Sequence, residues 1–215
     1  MDATLERIAE VGLVPVIVIE HAPDAAELVG ALKAGGLPIA EFTFRTDVAA
    51  DAIRVAREAH PDALVGAGSA IFPEQVDLAV DAGASFIVSP GLEETVVRHS
   101  LDRGIAALPG CATSSDLMRA RQLGLDVVKF HPSEMNGGLP MIRALAAPFP
   151  GLRFVPSGGI GMHNLEDYVA ESRVLAVGGS WLADAGTVRA RDWPAVTRAA
   201  REAVAAVKRG REHRK

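Results

Sequence analysis

The stretch DVVKFHP at residues 126–132 combines a short apolar run with a single lysine, Lys129. The apolar residues on both sides of Lys129 predict a short, largely buried strand. A buried ammonium group is costly unless it is paired or loses its proton, and burial favours the uncharged amine. Two interpretations of Lys129 therefore remain open: a nucleophile that forms a Schiff base with a carbonyl substrate, or a structural lysine paired with a carboxylate.

Similar short apolar stretches alternate with helical patterns along the whole chain. The predicted strands are residues 14–19, 38–45, 63–69, 86–90, 106–110, 126–132, 153–159 and 174–179. Their spacing leaves room for one strand, one helix and two turns, which favours a parallel α/β fold. Eight such units predict a closed (β/α)8 TIM barrel with an extra N-terminal helix over residues 2–10. An open doubly wound sheet is the alternative, although no GxGxxG follows the first strand.

Length and charge limit the class of protein. The chain has 215 residues, of which 49% are hydrophobic, so it can bury a core as a single domain over residues 1–215, with a flexible basic tail at 209–215. A net charge of -5 argues against nonspecific binding to nucleic acid, and no stretch is apolar for long enough to cross a bilayer. The acidic residues near the N-terminus do not resemble a signal peptide. We expect a cytoplasmic protein with no nucleic-acid or membrane partner.

Cysteine and histidine give no metal or disulfide pattern. Cys111 is the only cysteine, so it cannot form an internal disulfide, and its loop position predicts an unreactive small residue. The histidines lack HxH, HExxH or Cys/His spacing, so no metal site and no cofactor are predicted. His131 is different because it follows Lys129 by two positions. It is either a strand-end histidine satisfied by the backbone or a residue of the same pocket.

Polar residues alternate with aromatic residues in the predicted strand 38–45. Glu41, Thr43 and Arg45 occupy one face, since successive side chains of a strand point to opposite sides. Catalytic groups of a barrel collect at the carboxyl ends of its strands. An internal ion pair between Glu41 and Arg45 is one interpretation. If Lys129 faces the same interior, Arg45 suits a substrate carboxylate and Glu41 suits proton transfer.

Paired glycines close the last two predicted strands, at 158–159 and 178–179. Glycine lets backbone N–H groups approach a ligand closely, and the loops after strands 7 and 8 of such barrels often bind phosphate. A single Gly-Gly pair is usually no more than a tight turn. Two pairs in these two places favour a ligand that carries a phosphate group.

Six motifs, taken in order, resemble the 2-keto-3-deoxy-6-phosphogluconate (KDPG) aldolases, which often also act as 4-hydroxy-2-oxoglutarate (KHG) aldolases. The motifs are EFTFRT at 41–46, GAGS at 66–69, SPG at 89–91, KFHPSE at 129–134, PSGGI at 156–160 and GGSW at 178–181. The resemblance runs from about residue 8 to about residue 208. It implies a metal-free class I lyase on a (β/α)8 barrel, usually a homotrimer. That lyase splits KDPG to pyruvate and glyceraldehyde 3-phosphate in the Entner–Doudoroff pathway.

The same resemblance implies a role for each motif residue. Lys129 corresponds to the Schiff-base lysine and Glu41 to the proton-transfer group. Arg45 and Ser69 correspond to residues that bind the pyruvate portion. The remaining residues implied to line the ligand site are Ser157, Gly158, Gly159, Gly179 and Ser180.

The chain departs from the family pattern at a few of these positions. Ser69 and Ser157 stand where threonine is usual, and His131 and Ser133 replace the usual phenylalanine and alanine. The pocket wall is therefore expected to be more polar, which leaves the substrate more open than the reaction. The alternatives are 4-hydroxy-2-oxoglutarate or 2-keto-3-deoxy-6-phosphogalactonate as substrate. More remote alternatives are a phosphosugar isomerase or epimerase, or a noncatalytic barrel that binds a phosphate ligand.

Overall fold

The computed structural model describes residues 2–213, in which strands and helices alternate. The strands are β1 (Leu13–Ile17), β2 (Ile39–Thr43), β3 (Leu64–Gly68), β4 (Phe86–Val88), β5 (Ala106–Leu108), β6 (Val127–Phe130), β7 (Arg153–Pro156) and β8 (Val177–Gly179). The helices are α1 (Ala3–Val11), α2 (Asp24–Ala34), α3 (Ala49–Ala59), α4 (Pro73–Asp81), α5 (Glu94–Asp102), α6 (Ser114–Gln122), α7 (Gly138–Ala146), α8 (Leu165–Ala170), α9 (Ala185–Arg189) and α10 (Trp193–Glu212). Each predicted strand region overlaps one of these strands, so the α/β fold is confirmed.

All paired strands are parallel. Six of them form one curled sheet in the order β5-β4-β3-β2-β1-β8, and β6 pairs with β7 separately. Isolated parallel bridges connect the two groups: Gly110 pairs with Lys129 on one side, and Ser157 pairs with Gly178 on the other. Since parallel strands share one direction, their carboxyl ends meet at the same edge, where the predicted site residues lie.

Most strands end earlier than the sequence predicted. The predicted strand 63–69 stops at Gly68, because Ser69 has a φ of 57°, which lies outside the extended region. The predicted strand 153–159 stops at Pro156, and Gly158 and Gly159 have φ values of 91° and 79°. Ser69, Ser157, Gly158 and Gly159 are among the residues that lie outside the strands. They form loops around the site instead of continuing the ladder.

Helices cover the outer face of the sheet with apolar stripes. Helix α2 begins after Pro23 and ends before Gly35, and it buries a stripe that includes Leu28 and Leu32. Helix α6 begins after Thr113, whose hydroxyl accepts a hydrogen bond from the backbone N–H of Asp116 in a capping box. None of the helices within residues 2–213 is long and apolar enough to cross a bilayer.

The C-terminal helix corrects the prediction of a flexible tail from residue 209. Helix α10 continues to Glu212, and Arg209 donates hydrogen bonds of 2.9 and 2.7 Å to Glu166. Gly210 is buried against Val169, where an added Cβ would lie 2.4 Å from a methyl group. Arg209 therefore has a partner on helix α8, and the last turns of helix α10 pack closely. Residues 214–215 of the predicted tail lie outside the described residues.

Gly110→Ala should destabilise the fold at the junction between β5 and β6. A Cβ at Gly110 would lie 2.0 Å from the backbone oxygen of Pro90, and backbone cannot move aside as a flexible side chain can. We expect a loss of about 1–3 kcal/mol in the free energy of unfolding, measured by urea titration. Gly91→Ala is the matched control, because an added Cβ there meets nothing within 4 Å. Equal stability of the two variants would contradict this account of the junction.

Candidate active site

Lys129 on β6 and Glu41 on β2 meet inside the curled sheet. The Nζ atom of Lys129 lies 3.8 Å from Oε1 of Glu41, and the side chains are 10% and 4% exposed. Their strands are far apart in the sequence, so only the folded sheet brings the two groups together. The ionic contact of Glu41 is with Lys129 and not with Arg45, the partner considered from the sequence.

The Glu41 carboxylate is buried without full hydrogen bonding. Within the described residues, its Oε1 has no hydrogen-bond partner. Burial raises the pKa of Glu41, and the positive charges of Lys129 and Arg45 offset part of that rise. A buried carboxyl with a free oxygen is able to hold a proton and to exchange it with a ligand.

Gly68 makes room for this carboxylate. A Cβ at Gly68 would lie 2.1 Å from Oε1 of Glu41 and 2.8 Å from its Cδ. Strands β2 and β3 pair Thr43 with Gly68, so the missing side chain falls beside the Glu41 carboxyl group. The motif GAGS carried this signal in the sequence, but the distance to Glu41 could not be read from it.

Arg45 and Ser69 lie together at the rim of the site. They follow β2 and β3, and Nε of Arg45 donates a 3.2 Å hydrogen bond to Oγ of Ser69. Arg45 is exposed, so its guanidinium group is accessible to a ligand from solvent. Thr43 shares the inward face of β2, but its hydroxyl donates to the backbone oxygen of Ile17 at 3.0 Å and ties two strands together. It is therefore a structural residue.

The floor of the site is apolar. The cavity that contains Glu41 and Lys129 is lined otherwise by residues of the strands: Val14, Val16, Val88, Leu108, Val155, Ser157 and Gly178. Such a lining lowers the local dielectric constant and strengthens the interaction between the two ionisable groups. Cys111 is buried beside this region, and burial raises the pKa of its thiol to about 12. This agrees with the prediction that Cys111 is unreactive.

The glycine pair after β7 forms a turn that only glycine suits. Gly158 and Gly159 both have positive φ, and a Cβ at Gly159 would lie 2.6 Å from Cβ of Glu134. In the described part of the chain, the backbone N–H groups of Gly158, Gly159 and Ser180 make no hydrogen bond. The bridge between Ser157 and Gly178 places the loops after β7 and β8 side by side. Their N–H groups are therefore available to an anion.

At position 179, glycine is required by side-chain packing and not by a positive φ. A Cβ there would lie 2.2 Å from the indole ring of Trp181, so the residue is needed for packing within its own loop. Ser180 follows it, is exposed, and precedes the short 3-10 helix Trp181–Ala183. Within the loop after β8, the Ser180 hydroxyl is thus more accessible to a ligand than Gly179.

His131 and Ser133 make contacts that the sequence did not reveal. Nδ1 of His131 lies 3.2 Å from both the backbone oxygen and Oγ of Ser157. Burial and the charge of Lys129 lower the pKa of His131. Ser133 Oγ lies 2.8 Å from the hydroxyl of Tyr168, which also donates to Glu134. Burial and Glu134 raise the pKa of Tyr168 to about 12, so the phenol stays protonated and links helix α8 to the loop after β6.

A family model described as "Aldolase: KDPG and KHG aldolase" matches residues 5–199. The 2-dehydro-3-deoxy-phosphogluconate aldolase of Treponema pallidum is 45% identical over 92% of this chain and 94% of its own. A KDPG aldolase of Legionella pneumophila, solved with pyruvate captured as a covalent carbinolamine intermediate, has a TM-score of 0.89 and 36% identity, covering 93% of this chain and 97% of that one. The enzyme of Zymomonas mobilis with 3-phosphoglycerate has a TM-score of 0.87 and 40% identity, covering 94% and 95%.

Glu41→Gln should change how stability depends on pH. Because burial raises the pKa of Glu41 above its ordinary 4.5, the unfolded chain releases a proton that the folded protein keeps. This contribution to stability is complete below pH 4.5 and is lost as pH rises through the raised pKa. We expect the free energy of unfolding of the variant, relative to wild type, to increase in urea titrations as the pH rises above 4.5.

The exposed Glu58 on α3 provides the control for this experiment. Glu58→Gln makes the same substitution on the protein surface and controls for its effect outside the site. A difference between Glu41→Gln and wild type that does not change with pH would contradict the raised pKa of Glu41.

Proposed function

Because the chain belongs to the KDPG and KHG aldolase family, we propose that it is a class I aldolase that cleaves KDPG to pyruvate and glyceraldehyde 3-phosphate. The observation that carries this proposal is the buried pair of Lys129 and Glu41, 3.8 Å apart over an apolar floor. In a structural ion pair, we expect both carboxylate oxygens of Glu41 to have hydrogen-bond partners. Within the described residues, Oε1 has none. The pyruvate carbinolamine in the Legionella pneumophila relative supports covalent chemistry of the same kind.

The reaction begins at Lys129. Its uncharged amine attacks the C2 ketone of the sugar acid, and loss of water gives a protonated imine. The imine accepts the electron pair of the C3–C4 bond when that bond breaks, so the chemistry needs no added cofactor. Since Lys129 lies in an apolar cavity, water is largely kept from the intermediate until product release.

Glu41 moves the protons of the cleavage. With one oxygen free of hydrogen bonds, it can take the proton of the C4 hydroxyl, directly or through a water, as the aldehyde leaves. The enamine that remains is protonated at C3, and hydrolysis of the imine then releases pyruvate and restores the amine. Gly68 holds space for the Glu41 carboxyl group, which fixes its distance from Lys129.

Arg45 and Ser69 bind the carboxylate of the pyruvate portion. Arg45 is exposed at the rim and carries a planar fork of donors, which suits a carboxylate. Its hydrogen bond to Ser69 orients the guanidinium group. Binding the carboxylate there keeps C2 within reach of the amine, which is a positioning effect.

The loops after β7 and β8 bind the phosphate group. The free N–H groups of Gly158, Gly159 and Ser180, together with the Ser180 hydroxyl, supply donors at one end of the site. Ser157 and Gly179 line the space between these donors and Lys129. The Zymomonas mobilis enzyme was solved with 3-phosphoglycerate, a phosphorylated three-carbon acid, which supports a phosphate site in the family. KHG is the alternative substrate, because the family includes KHG aldolases.

The bridges from Gly110 to Lys129 and from Ser157 to Gly178 support a closed (β/α)8 barrel with α1 as its extra N-terminal helix. We propose in addition a single domain and a cytoplasmic location, and, from the family resemblance, a homotrimer. These proposals do not alter the chemistry of the site.

Borohydride reduction in the presence of pyruvate should attach a three-carbon adduct to Lys129 and inactivate the enzyme, since reduction traps the imine. Peptide mass mapping locates the adduct. Lys129→Arg should abolish trapping. Lys33→Arg should not, because Lys33 pairs with Asp62 at the surface. An adduct found on Lys33 alone, or full activity after reduction, would remove the proposed mechanism.

Ser180→Ala should weaken the use of phosphorylated substrate selectively. We expect kcat/KM for KDPG to fall roughly 10-fold, because a hydroxyl bond to a charged phosphate is lost. Cleavage of KHG, which has no phosphate, should be unchanged. Ser172→Ala, an exposed serine between α8 and β8, is the matched control and should leave both rates unchanged. If Ser180→Ala slows both substrates equally, the loop after β8 does not bind phosphate.

A further inference from the structure

His131 lies between the two ends of the site. It follows Lys129 by two residues at the end of β6, and its ring packs on the turn after β7, where a Cβ at Gly158 would lie 3.0 Å from Nδ1. The charges of Lys129 and Arg45 both act on the imidazole. A substrate that runs from the Lys129 amine to the N–H groups of Gly158 and Gly159 therefore passes this ring.

The hydrogen bonds of His131 fix which nitrogen carries its proton. Nδ1 lies 3.2 Å from the backbone oxygen of Ser157, and a carbonyl oxygen can only accept. Nδ1 is therefore the donor, so Nε2 of the neutral ring is an unprotonated acceptor. No group within residues 2–213 bonds to Nε2. Burial and the charges of Lys129 and Arg45 lower the pKa of His131, which keeps the ring neutral near pH 7.

We propose that Nε2 of His131 accepts a hydrogen bond from the C5 hydroxyl of the substrate and thereby selects sugar acids that carry this hydroxyl. The proposal rests on the proposed function. In KDPG, the C4 hydroxyl is the one that loses its proton to Glu41, and the phosphate on C6 lies at the glycine turn. The C5 hydroxyl lies between them, as His131 does between Lys129 and Gly158.

The test uses the reverse reaction, in which pyruvate adds to an aldehyde. The C5 hydroxyl is the hydroxyl on carbon 2 of glyceraldehyde 3-phosphate, and 3-oxopropyl phosphate lacks it. For His131→Phe, we expect kcat/KM to fall roughly 10-fold with glyceraldehyde 3-phosphate and to change less than about 2-fold with 3-oxopropyl phosphate. His131→Gln should recover most of the loss, since its amide oxygen can accept near the position of Nε2.

Two outcomes would overturn the proposal. Equal losses with both aldehydes would make His131 a structural residue, and no loss with either would leave it without a role in selection. His99→Phe is the control, because His99 on α5 bonds to Asp77 on α4 in the outer layer. It should leave both rates unchanged.

A second measurement needs no variant. In the wild-type enzyme, the preference for glyceraldehyde 3-phosphate over 3-oxopropyl phosphate should decline as pH falls below about 6.5, since an imidazolium cannot accept a hydrogen bond. The charged groups that act on the ring are Lys129 and Arg45, and the turn at Ser157–Gly159 carries none. Titration of Glu41 or of the phosphate affects both aldehydes alike and cancels in the ratio. A ratio that is constant with pH would also overturn the proposal.

Borohydride trapping distinguishes failure of the proposal for His131 from failure of the proposed function. If pyruvate becomes attached to Lys129 in wild type and in His131→Phe, and the variant discriminates as wild type does, only the proposal for His131 fails. If wild type forms no adduct at Lys129, the proposed function itself fails.

Discussion

The burial of the Glu41 carboxyl group beside Lys129 is the interaction on which the rest of the structure depends. An apolar floor under two ionisable groups raises the free energy of the charged pair relative to water, so the surrounding strands must hold both groups in place. Gly68 leaves the space, and the two side chains come from β2 of the six-stranded sheet and from β6 of the two-stranded sheet. Within the described residues, Oε1 of Glu41 has no hydrogen-bond partner, which leaves it available to a ligand.

Loops at the carboxyl ends of the strands form the two sides of the rim. Arg45 and Ser69 form one side of the rim, and the glycine turn with Ser180 forms the other. The Tyr168 hydroxyl on helix α8 bonds to Ser133 and Glu134 and so holds the loop after β6 against this helix.

The sequence predicted the parallel α/β fold and singled out Glu41 and Lys129, because the alternation along β2 and a lysine in the apolar strand β6 are local patterns. The structure brings these two side chains within 3.8 Å of each other. It could not predict the contacts that depend on distance in space. The fit of Glu41 against Gly68, and of Gly179 against Trp181, follows from the packing of side chains in three dimensions. The predicted strand 63–69 was too long because the residue type of Ser69 does not indicate its positive φ. The packing of the helix from Arg209 onward was not predicted, because Arg209 pairs with Glu166, which is distant in the sequence.

The backbone of Lys129 also connects two parts of the fold. Its N–H donates to Pro109 at 2.9 Å, and its carbonyl accepts from Cys111 at 2.8 Å, so this one residue joins the β5 side of the sheet to β6. Lys129, the proposed nucleophile, thus also connects the β5 side of the fold to β6. A local opening that separates these strands also displaces the amine of Lys129. Loss of turnover therefore reports local opening, and we expect inactivation by heat or denaturant to occur before global unfolding.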